Sequence, residues 1–306
     1  VFAAWLAALT SACGGAATPQ ANVAGAPSAT EPNADDPMGE PVDWWKRKAP
    51  CPDGAKVDGA APPAGKLIAC KTADGALDGP RTAFHDNGNK AEEAFYRRGK
   101  LEGTEVLFYE TGTPKQERRY SGGVLEGRQV SYFPNGQKQQ EGEFRQGKES
   151  GPFITWDENG TKTAEVFYQL GKRHGKAYEF HAESKPKTET EYRSDQKHGP
   201  FKAYTESGTL IEEGQYSLDK KEGLWTTYYP SGKKKAEQTF VGGQEEGAAR
   251  GWYETGVKEY EGAYAKGKKN GTFTFFEPEE QAVIRTEVYK NGVLFSKKAT
   301  PVKKTK

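Results

Sequence analysis

Residues 127–150 read GRQVSYFPNGQKQQEGEFRQGKES, and residue 151 is again a glycine. Two glycine-centred turn signals, at Asn135-Gly136 and Gln146-Gly147, bound segments of about seven to nine residues. That is strand length rather than helix length, and Val130, Tyr132, Phe133 and Phe144 are residue types that suit a half-buried pleated surface. The stretch predicts a β-hairpin. An isolated hairpin is marginal in water, so it must lean on neighbours.

The neighbours are copies of itself. Glycine stands at 79, 103, 127, 151, 175, 199, 223, 247 and 271, a period of 24 that is visible before any other feature. With each of these glycines as position 0, position 5 is aromatic in all nine copies: Phe84, Phe108, Tyr132, Trp156, Phe180, Tyr204, Tyr228, Trp252 and Phe276. Position 14 is Glu93, Glu117, Glu141, Glu165, Glu189, Glu213, Glu237 and Glu261. Position 17 is aromatic, from Tyr96 and Tyr120 through to Tyr264, and is Tyr289 in a ninth copy that carries one inserted residue. The first turn signal puts Gly where a tight hairpin needs positive φ, with Asn before it in three copies. The second is a four-residue glycine spacing, as in GKLEG at 99–103.

The fold class predicted is all-β: an elongated, single-layer antiparallel β-meander of nine 24-residue hairpin repeats across residues 79–296, following a disordered N-terminal tether. Eighteen strands at ~4.8 Å each give an extent of roughly 85 Å. If the first turn is a two-residue loop, parity places the position-5 aromatics and the position-14 glutamates on one sheet face. An aromatic ladder with a structural glutamate row beside it is expected there. A row of carboxylates binding ions is the weaker reading, because Ca²⁺ needs several oxygens converging on one point.

Composition bounds the rest. Leu, Ile, Val and Phe total 45 residues, about 15% of the chain, below the ~20% expected of globular domains. A large two-layer core is not expected. The formal charge is +1, with 44 basic and 43 acidic side chains interspersed, so no global field points to nucleic acid. Cys13, Cys51 and Cys70 are too few for a zinc site, and none of the four histidines lies at ligand spacing from them. No metal or other cofactor is expected.

The first twelve residues, VFAAWLAALTSA, are apolar and uncharged and precede Cys13. They are too short to cross a bilayer and suit the h-region of a truncated signal peptide, residues 1–12. LTSAC resembles a bacterial lipobox, which makes Cys13 the lipidated residue. Residues 13–42, rich in Ala, Pro, Gly, Asn and Asp, read as a flexible tether. Gly14 after the cysteine favours the outer membrane by the same resemblance. In an oxidising compartment, Cys51 and Cys70 are expected to pair and staple a small module over residues 43–78. Residues 297–306 read as a basic tail.

Units such as GTEVLFYETGTPKQERRYSGGVLEG and the quoted 127–150 stretch resemble the MORN repeat variant of bacterial proteins. Copies five, six and nine depart at turn glycines, with Ser184, Asp195, Asp219 and Glu280 in their place. The resemblance implies an open antiparallel sheet that scaffolds protein or lipid contacts. The P-loop-like glycine pairs at 142–147 and 262–267 belong to the repeat and lack the Ser or Thr after the lysine. No catalytic motif emerges, and no enzyme activity is expected. The function predicted is a membrane-anchored envelope scaffold for an unidentified protein partner. An antitoxin or immunity-like role, which the resemblance also implies, is the alternative, and it would need neither anchor nor disulfide. Specificity is expected where copies differ. Tyr109, Phe133, Tyr229 and Tyr253 at position 6, with Trp225 nearby, are the candidate partner contacts, since Tyr and Trp favour interfaces.

Overall fold

The computed structural model describes residues 43–279 and 281–300. The signal peptide, Cys13 and most of the tether lie outside the described residues, as do residues 301–306. What is described belongs to one unit, Glu40–Lys306.

Within it, 23 strands form a single antiparallel sheet in which chain neighbours are sheet neighbours, and no α-helix occurs among the described residues. In all nine copies position 0 pairs with 17, position 2 with 15 and position 3 with 14, as in Gly127↔Phe144, Gln129↔Gly142 and Val130↔Glu141. Pairing and alternation together assign positions 3, 5 and 14 to one face, and positions 2, 15 and 17 to the other.

Between copies the register changes. From Glu143↔Ser150 the ladder jumps to Glu141↔Ile154, so two extra residues bulge from the incoming strand. The position-0 glycine sits in this bulge in every copy, with φ between +70° and +116°. Only glycine holds that conformation without Cβ strain, which is why the 24-residue period is marked by glycine.

The two turns differ. The second is a two-residue turn with both central residues at positive φ, as at Gln146 and Gly147. Asp195 and Asp219 keep this geometry at φ +71° and +66°. The first turn is not the two-residue loop assumed from sequence. Gly136 N–H bonds to Phe133 C=O, and Phe133 N–H to Gln137 C=O, so three residues intervene and the glycine closes a bulge in the left-handed region. The register slip this introduces falls after position 4, leaving the pairing of 3 with 14 intact.

The repeat plan extends past both ends of the nine copies. Strands Ala55–Ala60 and Leu67–Thr72 pair as Ala55↔Thr72 and Val57↔Cys70, the same 0↔17 and 2↔15 register. The expected disulfide-stapled module is therefore built on one more hairpin of the same plan. Cys51 and Cys70 are joined by a disulfide. Trp44 is buried, donates its indole N–H to Thr82 Oγ1 at 2.9 Å, and meets Trp45 edge-on, which in turn meets Phe84. At the other end, the last strand runs Val293–Ala299, into the stretch expected as tail. Ser296 replaces the position-0 glycine there, and the register slips by one residue only, through Tyr289↔Leu294 and Val288↔Ser296.

Candidate functional site

The glutamate face is held by an exchange of partners. Where position 11 is lysine, that lysine bonds the glutamate of its own copy: Lys90 to Glu93 at 2.5 Å, Lys138 to Glu141 and Lys258 to Glu261 at 2.7 Å, Lys234 to Glu237 at 2.5 Å, and Lys162 to Glu165. Where position 11 is Pro114, Pro186 or Leu210, the next copy brings a tyrosine to position 5. Tyr132, Tyr204 and Tyr228 donate their hydroxyls to Glu117, Glu189 and Glu213 at 3.1, 3.0 and 2.6 Å. All eight glutamates of the row thus have a partner.

The substitution is reciprocal. Every lysine copy is followed by Phe or Trp at position 5, a ring with no hydroxyl to donate to the glutamate. Four of these lysines lie 4.9–5.8 Å from the next ring's centroid, within cation–π range: Lys138 with Trp156, Lys162 with Phe180, Lys234 with Trp252 and Lys258 with Phe276. Among the described residues, successive position-5 rings make no ring-to-ring contact with one another, so the expected ladder is joined through lysine and glutamate rather than by stacking. The pairing could have been read from sequence by comparing position 11 of one copy with position 5 of the next.

Electrostatics follow from these contacts. Burial, reinforced by the charge of Glu117, pushes the Tyr132 phenol up to about 12. Tyr204 and Tyr228 also rise to about 12, through burial and then their hydrogen bonds to Glu189 and Glu213. Burial alone would raise Glu141, but hydrogen bonds from Arg128 and Lys138 outweigh it and hold the carboxyl below its ordinary range.

The opposite face is filled by shape. Phe153, Trp225 and Phe273 at position 2 lie over Gly142, Gly214 and Gly262, position 15 of the preceding copy, where an added Cβ would fall 2.3–2.5 Å from the ring. Each ring also bridges two position-17 rings: Phe153 is 5.4 Å from Phe144 and 5.0 Å from Tyr168, and Phe273 is 5.5 Å from Tyr264 and 5.6 Å from Tyr289. Earlier copies fill the same column with charge. Arg118 Nε donates to Glu105 at 2.7 Å, and Arg81 pairs with Glu92. At position −2 the first three copies carry Leu77, Leu101 and Leu125, whereas Lys197, Lys221 and Lys269 stand over rings in later ones, Lys221 at 3.8 Å from Trp225.

Of the candidate partner contacts, Trp225 is a correction. It is 2% exposed, its indole N–H is donated to Gln215 C=O at 3.1 Å, and it belongs to the packed column. Tyr109, Tyr229 and Tyr253 are half-buried and donate their hydroxyls to the position-5 carbonyls of the next copy, those of Tyr132, Trp252 and Phe276, at 2.7–3.1 Å. His85 and His181 bond the corresponding carbonyls of Phe108 and Tyr204 through Nε2. Because a carbonyl only accepts, Nε2 carries the proton in both. Phe133 is half-buried without such a bond. Among the described residues no cluster of His, Cys, Asp and Glu could hold a metal ion.

These features define an open, repeat-built sheet whose copies are tied side to side. Five segments, residues 77–98, 101–121, 125–146, 197–217 and 221–241, match the family model of the MORN repeat variant. They correspond to the first three copies and to the sixth and seventh. No curated protein matches. Among solved structures, the chain is similar to the crystal structure of TcdB2-TccC3-TEV at 10% identity and a TM-score of 0.19, over 77% of this chain and 14% of that one. The crystal structure of TcdB2-TccC3 matches at 10% identity and a TM-score of 0.15, over 77% of this chain and 17% of that one.

Proposed function

We propose that the chain is a non-enzymatic repeat scaffold of the bacterial cell envelope, lipid-anchored at Cys13 in the outer membrane, that binds a protein partner along its sheet. One observation carries this reading. The side chains that recur in every copy are engaged with one another, whereas positions 1 and 16, which vary from copy to copy, present apolar groups such as Leu224 and Phe167 to solvent, 55% and 45% exposed. Apart from Arg128, which bonds Glu141, groups at these two positions are thereby separated from those that hold the copies together. The Cys51–Cys70 disulfide is in keeping with an oxidising compartment.

Metabolic labelling with a fatty-acid analogue, in the full-length protein and in Cys13→Ala, tests the anchor; label retained in the variant removes it. Photo-crosslinking residues placed at Leu224 and Phe167 test the surface. A discrete protein adduct from these sites is expected, and none from a site on the packed column such as Ala249. Equal labelling from all sites, or from none, defeats the assignment of the surface.

A further inference from the structure

Each copy contributes one turn to each long edge of the sheet, and the two edges carry opposite charge. Among the described residues, the nine first-turn segments, positions 6–10, hold nine acidic residues and two basic ones, with Asp86 and Glu183 paired to Lys66 and Lys185. The nine second-turn segments, positions 18–21, hold eleven basic residues and two acidic ones. The lysines that begin the second strand do not neutralise the acidic edge, because Lys90, Lys138, Lys162, Lys234 and Lys258 are turned onto the glutamate row. All eleven basic residues of the second-turn edge are exposed, and none forms an ion pair among the described residues. Seven carboxylates also lie at this edge, fewer than the basic residues, and all are spent on its backbone: Asp195 and Asp219 accept N–H groups of Arg173 and Lys197 at 2.9 and 2.8 Å, and Asp78, Glu102, Glu126, Glu222 and Glu246, just outside these segments, accept those of Arg98, Gly122, Gln146, Gly242 and Lys266 at 2.7–3.1 Å.

The basic edge also carries two strained apolar tips. Leu170 and Leu218 occupy the same position two copies apart, at φ +52° and +49°, and are 67% and 53% exposed. A bulky side chain in the left-handed region is uncommon and unfavourable. Exposing leucine there as well gains nothing for the isolated sheet.

We propose that the sheet associates laterally with further copies of the same chain, the acidic first-turn edge of one seated against the basic second-turn edge of the next. The repeat itself argues for this partner over other anionic ones. Both edges have one turn per 24 residues, so acidic and basic tips share a single spacing, which an unrelated partner would have to match independently. A formal charge of +1 leaves little net repulsion between copies. Because the two edges are different surfaces, the contact is heterologous and need not close at a dimer.

Sedimentation velocity on the full chain, over a concentration series at ~20 mM and ~500 mM NaCl, tests this, since the higher salt screens beyond a few ångströms. The weight-average mass is expected to climb past a dimer at low salt and to return to the monomer at high salt. Reversing the basic edge (Arg97→Glu, Arg98→Glu, Lys100→Glu) or the acidic edge (Glu110→Lys, Glu158→Lys, Glu254→Lys) is expected to weaken association at least ~tenfold. Mixing the two variants restores one contact per pair, the unaltered acidic edge of the first against the unaltered basic edge of the second. Near-UV circular dichroism confirms that each variant is folded. A chain that stays monomeric at low salt, association indifferent to both reversals, or no recovery on mixing overturns the proposal. So does a monomer whose basic edge instead captures anionic vesicles.

Discussion

The two faces of the sheet solve the same problem by different means. On the glutamate face, the recurring carboxylate is satisfied at each junction either by a lysine of its own copy or by a tyrosine of the next, as Lys138 serves Glu141 and Tyr228 serves Glu213. On the opposite face nothing is constant at position 2, which runs from Arg81 and Glu105 to Phe153, Trp225 and Phe273. There, size is matched instead, with a large ring over a glycine of the preceding copy. A balance of charge tolerates exchange of partners. A packed ring tolerates far less, because its neighbours close around one shape.

The largest effect expected is on the packed face. Trp225→Ala removes a ring that meets Phe201, Tyr216 and Phe240 at 5.0–6.3 Å, and should cost about 3–5 kcal/mol in urea unfolding. A loss under ~1 kcal/mol would mean that the column does not carry the packing. Next comes Gly142→Ala, which forces a Cβ to within 2.4 Å of the Phe153 ring. Overpacking of about 1–3 kcal/mol is expected, with recovery in the Gly142→Ala, Phe153→Ala double variant relative to the sum of the singles.

On the glutamate face Tyr228→Phe should cost only about 1 kcal/mol, and adding Leu210→Lys should restore most of it by converting the junction to the lysine kind. Failure of that rescue would show that the two kinds of junction are not interchangeable. The same junctions carry an alkaline effect. Tyr132, Tyr204 and Tyr228 have folded pKa values raised to about 12 from the ordinary 10. Their contribution is fully present below about pH 10 and is lost as pH rises towards about 12. The denaturant midpoint should fall across that window, and less steeply in Tyr228→Phe.

Sequence periodicity exposes what is constant. The bulge glycines, the position-5 rings, the position-14 glutamates and the hairpin unit are all legible because each repeats one residue type at one spacing. The position-2 column is not, since a search for recurring residues passes over a place that holds Arg, Glu, Gln, Phe, Ala and Trp. For that reason the sequence reading sets Trp225 among the partner contacts, where the structure packs it against its neighbours. The extra hairpin at 55–72 is only half legible: Gly75 and Gly79 keep the second-turn spacing, but Ala55, Ala60 and Thr72 stand where the other copies have glycine and two rings. Which hydroxyl or ammonium answers each glutamate is present in the sequence, but only as a relation between one copy and the next.

The ring-over-glycine contact has a direction: Phe153, Trp225 and Phe273 each rest on the copy before them and never on the copy after. Moving the seventh copy to follow the fourth would set Trp225 against Val166 in place of Gly214. The copies are therefore not interchangeable beads. Their order is part of the message, and lengthening or shortening such a chain during evolution is constrained at these junctions to cuts that keep each glycine with the ring that follows it.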